Sequence, residues 1–435
     1  MKSIYLLILL LASAAAGLAQ SPASPVAAAQ IAPETAAGAA DRVRLETFEK
    51  VWTTINERHY DPTFGGVDWS KVREIYLPKA RAAKTDDELH AILRRMLGEL
   101  HLSHFGIFPK EIATRAAGSA GIGVELKMIG GDAVVWRVDP SSTAAAAGLK
   151  PGAVVRGVDG KQVSEILKPL EDSFAGRQLS ERLKRVYRER TIEAAISGAP
   201  ETPVSLVIVD ERDMERKVEA VRKRFEGELS QPLGNFPAQQ VIFESRRLEG
   251  NIGYIRFNMW VMPQIQKIRT AVREFADARG IIFDLRGNPG GIGGIASAVA
   301  GMLSEKDFSL GSMTSRSGTI RFAVFPQKEP FLGKVAILTD HGTGSTSEVF
   351  AAGMQEAGRA VIVGETSAGA VLPSVFEKLP TGAIFQYVVS DYRSPKNILI
   401  EGRGVKPDIE VAADRAALLA GRDAQLEAAV SYITK

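Results

Sequence analysis

Hydrophobic positions recur with a helical period along the first quarter of the chain, alternate along the second, and run in short unbroken blocks along the rest. From Asp41 onward Leu45, Phe48, Trp52 and Ile55 fall on one helical face. A second helix opens at the capping box Thr85-Asp86-Asp87-Glu88 and carries the stripe Leu89, Ile92, Leu93, Met96, Leu97 and Leu100, which predicts core packing. These helices define an N-terminal helical domain over residues 41–115. From 116 to 223 the texture changes to strands such as Ala133 to Val138 and Val154 to Val158, the latter followed by an Asp159-Gly160 turn, with a charged helix-like stretch over residues 164–195. Residues 224–435 read as an α/β unit: a hairpin (Val241 to Ser245, Ile252 to Asn258), a helix around Gln264 to Ala278, then short apolar strands separated by glycine-rich turns and helices.

The ends and the composition narrow the compartment and the chemistry. Residues 1–19 have the order of a secretory signal peptide: Lys2, an apolar run from Ile4 to Leu11, then small residues up to Ala19. That run is too short to span a bilayer, so no stable membrane span is expected after its removal. Residues 20–40, rich in Ala, Pro and Ser, read as a flexible linker. The expected location is therefore periplasmic or secreted. With 54 basic against 51 acidic residues among 435, and no basic block interleaved with aromatics, nucleic acid is excluded as a partner. The absence of cysteine removes disulfides, thiol catalysis and thiolate metal sites. No H-x-x-x-H pairing suggests a metal, and no cofactor is expected.

Two stretches could carry chemistry. Gly344-Ser345-Thr346-Ser347-Glu348 follows the apolar run Val335 to Leu338 and opens a helical pattern. A serine there stands where free N–H groups and the helix dipole favour developing negative charge, as a nucleophile needs. The same residues also fit a structural capping box from Ser345 to Glu348. The second stretch, Gly280 to Gly291, is a buried strand running into Gly287-Asn288-Pro289-Gly290-Gly291, a turn suited to an anion or an oxyanion. A G-x-G-x-x-A match at Gly291 to Ala296 lacks the acidic residue and following strand of a dinucleotide site. Asp284 and Arg286 read as a buried brace, and Asp408 as a turn residue. His101 and His104 compete as bases, while His59, His90 and His341 read as structural.

The string Ala144 to Gly152, with its flanking strands and turn, resembles a PDZ domain. That resemblance implies a peptide-binding loop at Gly121, Ile122 and Gly123, whose N–H groups would meet the free carboxylate of an apolar C-terminus. The motifs "DLRGNPGG", "GTGSTSE", "GRAVIVGETSAG" and "GRGVKPDIEV", in this order behind the helices and the PDZ-like segment, resemble the serine peptidases of the C-terminal processing and tricorn-core family. The implied fold is an α/β core of the ClpP/crotonase-like type, with an N-terminal helical domain and a PDZ-like β-rich domain. In the processing branch a lysine base lies 25 residues after the nucleophile; here that position is Ala370. The tricorn-like branch uses Ser-His and a late Glu, matched by Ser103-His104 and Glu401. The resemblance thus implies Ser345 as nucleophile, His104 as general base, Glu401 as orienter and Ser103 as a supporting partner. Thr346, Gly290 and Gly291 would supply oxyanion N–H groups. The carboxylate of Glu401 would raise the His104 pKa above 6.5. Expected substrates are unfolded or C-terminally exposed polypeptides, with homo-oligomers possible. The rival is a non-catalytic peptide or apolar-ligand binder, since the core also resembles interphotoreceptor retinoid-binding proteins.

Overall fold

The structure, a computed structural model, describes residues 36–109, 120–174, 177–232 and 234–435. The expected signal peptide and most of the linker lie outside the described residues, as does the start of the β-rich segment.

Three helices, Ala36–Arg58, Trp69–Ala82 and Asp86–Gly98, build the N-terminal layer. The third begins where the capping box predicts, with the Thr85 hydroxyl accepting from Glu88 N at 3.2 Å. Phe48, Val51, Ile55, Leu89, Leu93 and Met96 are fully buried, each stabilising the fold by about 1.5–3 kcal/mol. The middle helix escaped the periodicity reading, although Asp68 caps it and Trp69, Val72, Tyr76 and Ala80 form its buried stripe. Trp52 turns sideways instead of inward, exchanging indole-to-carbonyl bonds with Trp69 at 3.0 and 3.2 Å. Leu379, Ala383, Phe385 and Tyr387 from a late hairpin complete this core. Strand Gly106–Phe108 pairs with Ile384–Val388 of the same hairpin. This pairing carries the Ser103-His104 turn to the segment just before the hairpin.

The β-rich region is a sheet in the order Val124–Ile129, Asp132–Val138, Val154–Val158, Pro203–Val209, Glu215–Val221, with Lys161–Gln162 paired to Val154–Val158. The charged stretch forms two helices, Val163–Phe174 and Glu181–Ile196. The second helix packs along the edge strand Val124–Ile129 and buries Ile192 and Ile196.

The third sheet runs Phe243–Leu248, Ile252–Phe257, Gly280–Asp284, Lys334–Thr339, Val361–Gly364, Ile409–Glu410. Its first pair is antiparallel and the rest parallel. The central strands are covered on both faces, so Ile252–Phe257, Gly280–Asp284 and Lys334–Thr339 are largely apolar, while the edge strand Phe243–Leu248 is polar and partly exposed. Ile281, Phe283, Val335 and Ile337 join the larger core, while Ile282, Ala336 and Leu338 meet Ala429 and Ile433 of the last helix, Ala424–Thr434. Gly280–Asp284 and Lys334–Thr339 are neighbours in register, so their carboxyl ends deliver residues 285–292 and 340–345 to one place. Ligand sites in such sheets gather at that end.

Candidate active site

Ser345 sits between strand Lys334–Thr339 and helix Thr346–Glu356 with φ +52° and ψ −121°. A left-handed φ on a non-glycine residue costs about 1–3 kcal/mol and persists only where its surroundings hold it. Here Ser345 N donates to Ala370 O at 2.7 Å and to Glu348 Oε2 at 3.2 Å. Gly290 crowds the other side: a Cβ on it would lie 2.5 Å from Ser345 Cβ and 2.8 Å from Thr346 N. Only glycine, here at φ +103°, permits that approach.

The capping box with Glu348 forms, but Glu348 does more than cap. Its fully buried carboxylate also accepts from Ser367 Oγ at 2.5 Å, Gly369 N at 2.8 Å and Ala370 N at 2.9 Å. Burial pushes its pKa up to about 7 against those bonds. Asn288 is the matching organiser of the glycine turn. Its amide donates to Phe257 O at 2.8 Å, and its carbonyl oxygen accepts from Ser347 Oγ and Gly290 N, both at 3.0 Å. The Gly290 N–H is thereby spent, which corrects its expected place among the oxyanion donors. The Gly291 and Thr346 N–H groups have no protein acceptor among the described residues, and Thr346 Oγ1 donates to Gly291 O at 2.8 Å. Both N–H groups remain available.

The basic side is a chain of hydrogen bonds. Ser103 Oγ lies 2.7 Å from His104 Nδ1 and 3.0 Å from Glu401 Oε2, while Ser103 N donates to Glu401 Oε1 at 2.8 Å. Ser103 therefore stands between the imidazole and the carboxylate. Glu401 Oε2 also accepts from Val371 N at 3.0 Å, next to the Ala370 whose carbonyl holds Ser345. Adjacent residues thus fix the two halves of the site. Among the described residues no hydrogen bond joins His104 to Ser345; such catalytic bonds commonly tighten only with substrate in place. Like Ser345, His104 has a left-handed φ, +60°.

The expected upward shift of His104 is reversed. Burial, reinforced by the positive charge of Arg190, pushes its pKa down to about 4. Glu401 is interposed by Ser103 and is itself pushed up by burial, so it does little to favour the imidazolium. His101 is exposed, and Ala370 contributes its backbone alone. Among the described residues no cluster of His, Asp or Glu could hold a metal ion.

Sequence reasoning missed a second charged centre beneath Ser345. His341, buried, lies with Nε2 2.6 Å from Glu189 and Nδ1 3.5 Å from Glu365. Despite desolvation these carboxylates, with Asp340, raise its pKa to about 9. Asp340 pairs with the buried Lys127 of the β-rich sheet and accepts from Gly287 N and Gly342 N, both at 2.9 Å. This brace ties the two catalytic turns to the β-rich region. Asp284 and Arg286 form the buried pair expected of them, extended by Asp423.

The loop expected to meet a peptide is pinned to its neighbours through its carbonyl groups. Gly121 pairs with Lys223, Ile122 O accepts from Ala144 N at 3.1 Å, and Gly123 O accepts from Asp139 N at 2.9 Å. Strand addition would use the free edge of Val124–Ile129, but side chains of helix Glu181–Ile196 occupy it. Leu126 N donates to Glu193 Oε1 at 3.1 Å and Met128 N to Glu189 Oε1 at 2.6 Å, while Arg185 Nη2 donates to Met128 O at 2.8 Å.

Residues 251–411 match Peptidase family S41, and residues 41–98 match the Tricorn protease C1 domain. The chain is 26% identical to the chloroplastic C-terminal processing peptidase of Tetradesmus obliquus, over 84% of this chain and 76% of that protein. It is 24% identical to the carboxyl-terminal-processing protease of Synechocystis sp., over 88% of this chain and 85% of that protein. Among solved structures, the photosystem II D1 C-terminal processing protease superposes with a TM-score of 0.59 at 22% identity, covering 90% of this chain and 97% of that one. Mature CPAF does so with a TM-score of 0.63 at 14% identity, covering 91% and 97%. These two share the fold.

Proposed function

From a serine-type peptidase whose residues 251–411 form a Peptidase family S41 domain, we propose an exported endopeptidase in which Ser345 attacks the scissile carbonyl and His104 takes its proton. Ser103 and Glu401 hold the imidazole, with Nδ1 engaged and Nε2 left for catalysis. The observation that supports this most is the pairing of Ala370 O with Ser345 N and of Val371 N with Glu401, which anchors nucleophile and base to adjacent residues. A serine hydroxyl is a weak nucleophile without a neutral base, and a His104 pKa near 4 keeps the imidazole neutral across the physiological range. The N–H groups of Thr346 and Gly291 would receive the oxyanion, each such donor being worth roughly 3 kcal/mol in the transition state.

The relatives are named for C-terminal processing, and we extend that substrate class to this chain: polypeptides with an accessible C-terminal region. Peptide entry at the Gly121-Ile122-Gly123 loop then requires Glu189 and Glu193 to leave the strand edge. Cleavage of a casein-like substrate tests the peptidase assignment. The unsubstituted chain cuts, whereas Ser345→Ala and His104→Ala proteins that melt normally do not. Equal turnover by all three would refute it, and binding of apolar ligands without turnover would favour the carrier reading. N-terminal sequencing of the natural product tests export, with a start near Gln20 expected and a retained Met1 contradicting it.

A further inference from the structure

A cavity of about 240 Å³ opens beside His104 and Glu401, between the end of helix Asp86–Gly98 and the start of helix Glu181–Ile196. Its charged lining is lopsided. Arg94 and Arg177 both line it, and the one carboxylate in its wall, Glu401, is already committed to Ser103 and Val371. Arg94 uses one N–H on Ile107 O at 3.1 Å, leaving most of its five donors free. Arg177 makes no side-chain bond to protein among the described residues, although its Nε is close enough to lie 3.7 Å from a Cβ placed on Gly98, one helical turn beyond Arg94.

The contrast with nearby arginines is informative. Arg182 is spent on the carbonyls of Gly402 and Arg403, Arg185 on Met128 O and Glu365, and Arg188 on Glu171 and Glu181. Neither Arg94 nor Arg177 forms an ion pair among the described residues. Arg190, one helical step past the cavity-lining Tyr187, adds a third positive charge that is felt at His104. Arg94 is held where burial disfavours its charge, and Asp87 offsets this only at longer range. Uncompensated guanidinium groups around a cleft favour an anion, and their forked donors match a carboxylate.

We propose that this cavity is a substrate subsite for a peptide carboxylate, held between Arg94 and Arg177 while the scissile bond lies at His104. The inference rests on the active-site assignment above. An acidic side chain and a free C-terminus present the same group, and the cavity is lined by none of the loop residues Gly121, Ile122 and Gly123 to which the sequence assigns an apolar C-terminus. Neither arginine is a catalytic residue; each selects and positions the chain to be cut.

Binding of four matched peptides to the uncut Ser345→Ala protein tests this by fluorescence anisotropy. Two peptides differ only as Glu against Gln, and two only as free against amidated C-terminus. At least one carboxylate peptide should bind about tenfold tighter than its neutral partner, and which pair shows the preference identifies the source. Arg94→Gln combined with Arg177→Gln should bring that ratio close to one, and both side chains are exposed enough for the fold to survive. Equal affinity for all four peptides, or a preference that survives both substitutions, would overturn the subsite. Turnover of the neutral amidated peptide by the unsubstituted chain reports on the peptidase assignment separately.

Discussion

Two histidines of the candidate site have opposite electrostatic fates. His104 lies in the cleft beside a hydroxyl and near an arginine, and loses its charge; His341, beneath the Ser345 turn, is flanked by Glu189, Glu365 and Asp340 and keeps it. Both are desolvated, so burial alone does not separate a base from a brace. What separates them is the nearest partner: a neutral Ser103 hydroxyl leaves the imidazole free to accept a proton, whereas carboxylates fix it as a cation.

That contrast breaks most sharply under substitution. His104→Ala is expected to lower kcat by roughly a millionfold, as loss of a base or nucleophile does in a serine triad, with little change in melting temperature. His341→Ala should do the reverse. It leaves the buried Glu189 without its cation, a loss of about 3–5 kcal/mol of stability, while Glu365 keeps Arg185. Denaturant unfolding beside turnover on one preparation checks both; a stable, inactive His341→Ala protein would exchange the two roles.

The pH dependence of stability sharpens it further. The folded pKa of His341 is raised from 6.5 to about 9, so its stabilisation is fully present below about pH 6.5 and is lost as pH rises through 9. Melting temperature should fall across that window, and the fall should vanish in His341→Gln.

Smaller effects belong to the parts that hold the base and the nucleophile. Ser103→Ala cuts the hydrogen-bonded route from Glu401 to His104, and a misplaced base costs about a hundredfold in kcat. KM should change little. The smallest change in stability belongs to Ser345→Gly, which removes the hydroxyl but relieves a left-handed φ of +52°. It should abolish activity while raising stability by about 1 kcal/mol. A less stable Ser345→Gly protein would mean that the serine is not strained.

How much of this was legible in the sequence differs along the same line. The helix at Thr346, the glycine-rich turn after Asp284, the Asp284 and Arg286 pair and the capping box at Thr85 all follow from local patterns, and each stands where expected. Helix Trp69–Ala82 was readable from its Asp68 cap and its stripe, but its polar run hid it. The non-local contacts were not legible. No spacing reveals that Glu189 of a charged helix closes the edge of Val124–Ile129 and reaches His341, or that Asn288 spends the Gly290 N–H. The direction of the His104 shift depended on its desolvation and on the charge of Arg190, which a motif match does not convey.

The most direct test of the account is the pH dependence of fluorophosphonate labelling at Ser345, read by peptide mapping. With His104 at about pKa 4, protonation removes the base only below that value. The labelling rate should therefore be flat from pH 8 down to about 5.5, fall through about pH 4, and be nearly abolished at all pH values in His104→Ala. A rate that instead fell through about pH 6.5 or higher, or one unchanged by His104→Ala, would contradict a neutral His104 as the base that activates Ser345.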